Sequence, residues 1–161
     1  MESVDLSQLI RGCIDLVTPQ ATGRHVTIST VEQSEIKVLA DSKRLNQILI
    51  NLLSNAIKYN RDGGAVRVSC EVFDERVRLA VSDSGPGIAP DMRERLFTPF
   101  DRLGAESTET EGTGLGLALA KTFAEAMNVT LDYSSVEGEG SIFWVDLPKD
   151  NDDPEVLVTG P

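Results

Sequence analysis

Apolar residues near the start of the chain recur at helical spacing. Leu6, Leu9, Ile10, Cys13, Ile14 and Val17 follow one another every three or four residues. This predicts a helix from Asp5 to about Gln20, capped by Asp5 or Ser7. His25 to Thr30 alternates and is β-branched, so it reads as a strand that contains His25 as an ordinary member. Ile36 to Ala40 reads as a second, shorter strand. Asp41 then caps a long helix, and Leu45, Ile48, Leu49, Leu52, Leu53, Ala56 and Ile57 form its apolar stripe. Asp62-Gly63-Gly64 ends that helix with turn chemistry. Ala65 to Phe73 and Arg76 to Ser82 alternate on either side of Asp74-Glu75, which is a hairpin signal.

The second half is more punctuated. Ser84 to Pro90 is a glycine- and proline-containing loop, and Asp91 to Phe97 reads as a short helix. Arg102 to Gly112 is polar, acidic and poor in large apolar residues, which predicts a mobile loop. Thr113 to about Met127 reads as a helix carrying Leu115, Leu117, Leu119, Ala120, Phe123, Ala124 and Met127. Val129 to Val136 and Ser141 to Leu147 make a last hairpin around Glu137-Gly138-Glu139-Gly140. The expected architecture is α+β: a mixed sheet with helices on one face. One domain over residues 1–149 and an acidic, disordered tail over 150–161 are expected.

Composition narrows the possibilities. The 161 residues are 40% hydrophobic and 25% charged, which suits one globular domain. A net charge of −11 argues against nucleic acid or an anionic membrane surface as the main partner. No apolar run approaches the roughly 20 residues that span a bilayer, and the acidic N-terminus lacks a signal-peptide core. A cytoplasmic-type domain is expected. Cys13 and Cys70 fit no metal-ligand spacing and read as reduced, partly buried thiols.

Several polar features interrupt this pattern. Asn51 and Asn55 lie four residues apart on one helix face, and Lys58 falls near the same face. Two amides and an ammonium beside an apolar stripe suit something anionic or metal-bound, although a plain solvated face has the same look. Asp83-Ser84-Gly85-Pro86-Gly87-Ile88 places a carboxylate at a strand end beside glycines, where it could accept a hydrogen bond from an exocyclic amine. An ordinary turn would read the same way. Phe97-Thr98-Pro99-Phe100-Asp101-Arg102 anchors the acidic loop and puts a guanidinium at its root. Gly112-Thr113-Gly114-Leu115-Gly116-Leu117 exposes N–H groups at a helix start, which favours phosphate. It is neither a Walker A loop nor a dinucleotide fingerprint.

In this order, together with Gly138, Gly140 and Ser141, these motifs resemble the catalytic ATP-binding domain of two-component sensor histidine kinases. That family belongs to the superfamily of gyrase, the 90-kDa chaperones and mismatch-repair ATPases. The resemblance covers about Val4 to Pro148. It implies a two-layer α/β sandwich that holds ATP between helices and a lid. The nucleotide-binding set it implies is Asn51, Asn55, Lys58, Tyr59, Asp83, Gly85, Gly87, Ile88, Phe100, Arg102, Gly112, Thr113, Gly114, Leu115, Gly116 and Leu117. Within it, Asn51, Asn55, Lys58 and Arg102 match the catalytic positions, and Asn55 looks like the Mg²⁺ ligand, since its carbonyl oxygen is a hard donor. Asp83 matches the residue that binds the adenine amino group. Tyr59 looks like a wall of the pocket. Gly138, Gly140 and Ser141 match a last glycine box that supports the fold.

The resemblance also implies a chemistry and its limits. Hydrolysing members of the superfamily place Glu where this chain has Asn51, and an amide is no general base at neutral pH. Phosphoryl transfer to a protein is therefore expected over hydrolysis. His25 does not match the family's phosphoacceptor, so the acceptor histidine is expected on a separate dimerisation and histidine-phosphotransfer domain of a parent kinase, with a response regulator beyond it. Asn128 stands where the family has a glycine-rich turn, and Asn tolerates the left-handed conformation. Two other readings fit the same residues: a degenerate nucleotide-binding interaction module, and a serine kinase of the anti-sigma-factor type.

Overall fold

A computed structural model of the chain describes residues 1–30, 35–88 and 116–150. In chain order the elements are β1 (Glu2–Asp5), α1 (Leu6–Gly23), β2 (Thr27–Thr30), β3 (Lys37–Ala40), α2 (Ser42–Lys58), β4 (Ala65–Phe73), β5 (Arg76–Asp83), α3 (Gly116–Ala126), β6 (Thr130–Val136) and β7 (Gly140–Pro148). The expected helix at 91–97, the loop at 102–112 and residues 151–161 lie outside the described residues.

Both long helices start where their caps predict. Asp5 accepts the N–H groups of Ser7 and Gln8, and Asp41 accepts those of Lys43 and Arg44. The whole stripe foreseen for α2 is buried, from Leu45 to Ile57. α2 packs between α1 and α3 and against β4 and β5. The sheet order is β2-β4-β5-β7-β6, with β2 parallel to β4 and every other pair antiparallel. Val66, Val68, Val77, Leu79, Val81, Phe143, Val145 and Leu147 bury one sheet face in the same core as the helices. This is the α+β mixed sheet with helices on one face expected from the order of elements, and the two-layer sandwich that the resemblance implied; the sheet is mostly antiparallel.

On the other sheet face, Arg78 bonds Asp146 through both carboxylate oxygens, at 2.8 and 3.1 Å. Its guanidinium also stacks on Phe73 and Trp144, 5.2 and 4.8 Å from the ring centroids.

Four expectations need correction. His25 is not a strand residue: its φ is 56°, β2 begins at Thr27, and its ring pairs with Asp62 at 3.0 Å. The chain must turn sharply after α1 to enter the sheet, and β-branching in the next residues masked that turn. β1 was not foreseen, because four mostly polar residues give no periodic signal; it pairs with β3 as a separate two-stranded ribbon. α1 runs past Pro19 to Gly23. Asp150 belongs to the packed structure, not to a tail. It is buried, its N–H donates to the Lys37 carbonyl at 3.0 Å, and its carboxylate accepts from the Ser3 hydroxyl at 2.5 Å.

Leu53 is fully buried in the α2 stripe. Leu53→Ala should therefore lower unfolding free energy by about 2–5 kcal/mol, read as a shifted midpoint in urea with an unchanged slope.

Candidate nucleotide site

The burial of the α2 stripe turns Asn51, Asn55 and Lys58 to the helix's other face, where all three are half-buried. The Gln47 amide donates to Asn51 Oδ1 at 2.8 Å. Asn51 Nδ2 is buried and has no hydrogen-bond partner among the described residues. A buried donor left unpaired costs about 1–3 kcal/mol, and an N–H donor suits an anionic oxygen, not a metal. Lys58, in the last turn, also complements the helix dipole. Arg24 secures that end of α2 by donating to the carbonyls of Ile57 and Asn60, at 3.1 and 3.3 Å.

The Asp83 loop is brought directly onto this helix end. A Cβ built on the buried Gly85 would lie 2.8 Å from the Tyr59 carbonyl oxygen and 2.9 Å from Asp83 Oδ1. Only glycine allows the loop this close. Asn60 ties the junction together. Its Oδ1 accepts from Arg61 N–H at 2.8 Å and its Nδ2 donates to the Ala65 carbonyl at 3.0 Å. Ser84 accepts the Ala65 N–H at 2.8 Å. Tyr59, Asp83 and Gly85 thus meet at the C-terminal end of α2, the helix that carries the amide row.

The last hairpin closes the far side of the loop. Gly87 has φ +74°, and a Cβ there would lie 2.3 Å from the Val136 carbonyl. Gly140 has φ +132°, and its Cβ would meet the Asp83 carbonyl at 2.1 Å. Gly138 N–H donates to the Pro86 carbonyl at 2.6 Å, and Ile88 N–H donates to Ser135 Oγ at 2.8 Å. Ile88 is half-buried against the core. Gly116 opens α3, and Leu117 is buried in the core. Phe100, Arg102, Gly112, Thr113, Gly114 and Leu115 lie outside the described residues. Asn128 takes φ 57° after α3, the left-handed conformation expected of it.

Asn60, Ser135, Arg24 and Arg61 were not singled out from sequence. Ser135 carried a usable signal: it follows Leu131 and Tyr133 on the inward face of β6, where a third apolar residue would be ordinary. The other three act mainly through backbone carbonyls and N–H groups, which no side-chain pattern reports.

Burial holds the Asp83 carboxyl above the usual range, against the opposing pull of the Gly85 and Ser141 N–H groups. Burial likewise pushes the Cys13 and Cys70 thiols up to about 11, so both are protonated at neutral pH. Among the described residues, no cluster of three His, Cys, Asp or Glu could hold a metal, and no helix is long and apolar enough to cross a membrane.

Comparison with known proteins agrees with this geometry. Residues 40–151 match the family of histidine kinase-, DNA gyrase B- and HSP90-like ATPases. The chain belongs to this family. Within it, the similar proteins are sensor histidine kinases. ZraS of Escherichia coli is 36% identical over 149 residues, which are 92% of this chain and 31% of ZraS. The chain spans about a third of the curated relatives it matches. The mycobacterial sensor histidine kinase MprB superposes with a TM-score of 0.79 at 27% identity, covering 92% of this chain and 98% of that one. Full-length ShkA in complex with AMPPNP gives 0.77 at 35% identity, covering 92% and 31%. This is an ATP-binding domain of the sensor histidine kinase type.

The raised Asp83 pKa fixes the sign of a pH effect. Its contribution to stability is fully present below the unfolded pKa of about 3.9 and is lost as pH rises through the higher folded value. Asp83→Asn removes the cost of the buried charge. Without ligand, this variant's melting temperature should gain on the wild type as pH rises through that window, and the gain should vanish in acid. Thermal melts at stepped pH check it.

Proposed function

We propose that this domain binds Mg·ATP and supplies the γ-phosphoryl group to a histidine on a separate dimerisation and histidine-phosphotransfer domain. A response regulator would then take the group from that histidine. The observation that supports this most is Asn51. It stands on the polar face of α2 with a buried N–H that has no hydrogen-bond partner among the described residues, suited to a phosphate oxygen, and its amide cannot take a proton from water.

Each residue has a definite task in this reading. Asp83 accepts the exocyclic amine of adenine, and Gly85 lets the base approach the backbone. Tyr59 forms part of the pocket wall beside the loop. Asn51 donates to phosphate, and Lys58 neutralises phosphate charge. Asn55 offers a carbonyl oxygen of the hard type magnesium requires, with phosphates and water completing the shell. Bound magnesium would offset triphosphate charge and orient the phosphates. On sequence grounds, Arg102 and the turn from Gly112 to Gly116 complete the phosphate set. Phe100, Thr113, Leu115, Leu117, Gly87 and Ile88 shape the pocket.

Transfer of this kind needs positioning and charge stabilisation more than covalent help from the protein. The acceptor imidazole nitrogen forms a bond to the γ-phosphorus as the bond to the β,γ-bridging oxygen breaks, and ADP leaves. No residue here has to activate water. In the parent kinase the domain would lie on the cytoplasmic side, where ATP is available.

The test is a transfer assay with labelled ATP and a supplied acceptor domain. An acid-labile phosphohistidine product is expected. Asn55→Ala should reduce transfer by about 100-fold or more. Undiminished transfer by that variant, or an acid-stable phosphoserine product, would overturn the reading.

A further inference from the structure

We propose that Ser135, on β6, is a positioning residue for base recognition, acting through the backbone of the loop that follows Asp83. This rests on the reading of Asp83 as the adenine-binding carboxylate. Beyond Asp83 the loop leaves the sheet ladder, so its backbone needs other partners. Ser84 N–H still reaches the Ala65 carbonyl at 3.1 Å, and Gly85 N–H turns back to Asp83 Oδ1 at 2.9 Å. Pro86 has no N–H to give. On either side of Gly87 the loop is held by the last hairpin: Pro86 O by Gly138 N–H at 2.6 Å, and Ile88 N–H by Ser135 Oγ at 2.8 Å. Of these two clips, only the second uses a side chain.

The hydroxyl is fixed in orientation. Ser135 and Ser141 are 8% and 9% exposed, and their oxygens are 2.9 Å apart. Ser135 Oγ also lies 3.2 Å from the Gly140 carbonyl, which has only lone pairs to offer. With its one proton given to Gly140, Ser135 accepts from the Ser141 hydroxyl. The remaining acceptor capacity of Ser135 meets the Ile88 N–H. Gly140 in turn packs on the Asp83 carbonyl, and Ser141 pairs with Asp83 across β5 and β7. The Arg61 guanidinium donates to the Gly138 carbonyl at 2.8 Å, tying the same turn to the residues after α2. One hydroxyl relay thus sets the distance between the carboxylate and the loop that would flank the base.

The test measures Mg·ATP affinity and Ile88 amide exchange in the 161-residue chain. Ser135→Ala should weaken Mg·ATP binding by about tenfold and deprotect the Ile88 amide at temperatures where the variant stays folded. Ser135→Thr keeps the hydroxyl and should restore both. Ser134→Ala, on the solvent side of the same strand, should change neither. If Ser135→Ala binds Mg·ATP as tightly as wild type, or shifts only the melting temperature, the positioning role is wrong. Should the alanine variant not fold, Ile88 exchange in the wild type decides: protection supports the clip, and free exchange overturns it. Failure of the underlying reading looks different, because Asp83→Asn would then leave Mg·ATP affinity unchanged.

Discussion

The burial of one stripe on α2 is the constraint on which the other features depend. Seven apolar side chains, from Leu45 to Ile57, must leave water together. They can do so only if α2 lies between α1 and α3 and over the sheet. At about 1.5–3 kcal/mol for each large side chain buried, this preference far exceeds anything the polar residues of the helix could impose. The rotation of α2 about its axis is therefore set by hydrophobicity. The directions of Asn51, Asn55 and Lys58 follow from helical geometry, with no contact of their own needed to fix them. A polar row on a rigid helix, aimed by the core, is placed more exactly than one carried by a loop.

A second, smaller constraint fixes the other half of the site. The loop after Asp83 comes so close to the end of α2 that Gly85 cannot be replaced without moving the Tyr59 carbonyl or the Asp83 carboxylate. The same closeness recurs on the far side, where Gly87 and Gly140 meet backbone carbonyls. Backbone is thus packed against backbone on two sides of one carboxylate. Hydrophobic burial brings the layers together, and glycine with specific hydrogen bonds sets the final distance between them.

These two kinds of constraint explain what could be read in the sequence. The α2 stripe, both Asp caps, both hairpins and the order of elements are periodic or use turn chemistry, so they were legible. The amide row was legible because Asn is out of place beside Leu and Ile. β1 was not, since four residues paired across a long chain separation leave no local pattern. His25 misled because the residues after it are good strand formers, while its own positive φ is imposed by the junction with α1. Asp150 looked like tail because an acidic run normally seeks water. Here Ser3 and Lys37 supply the partners that make burial tolerable. Asn60 and Ser135 were silent for a related reason: their work is done on backbone groups that every residue has.

The charge balance gives the site its character. A chain at −11 has no overall attraction for a triphosphate. Screening within about 8 Å at physiological salt, however, makes the distant carboxylates nearly irrelevant and leaves the local groups to decide. Among the described residues, the candidate groups on the polar face of α2 are neutral amides at Asn51 and Asn55 and an ammonium at Lys58. Neutral donors cost less to desolvate than ions when no ligand is present. A costly ionisable group among the described residues is Asp83, held half-buried and above its usual pKa. Its neighbours relieve that cost only in part: among the described residues, the backbone N–H groups of Gly85 and Ser141 point at the carboxylate. An acid kept short of donors in this way has the most to gain from a ligand amine.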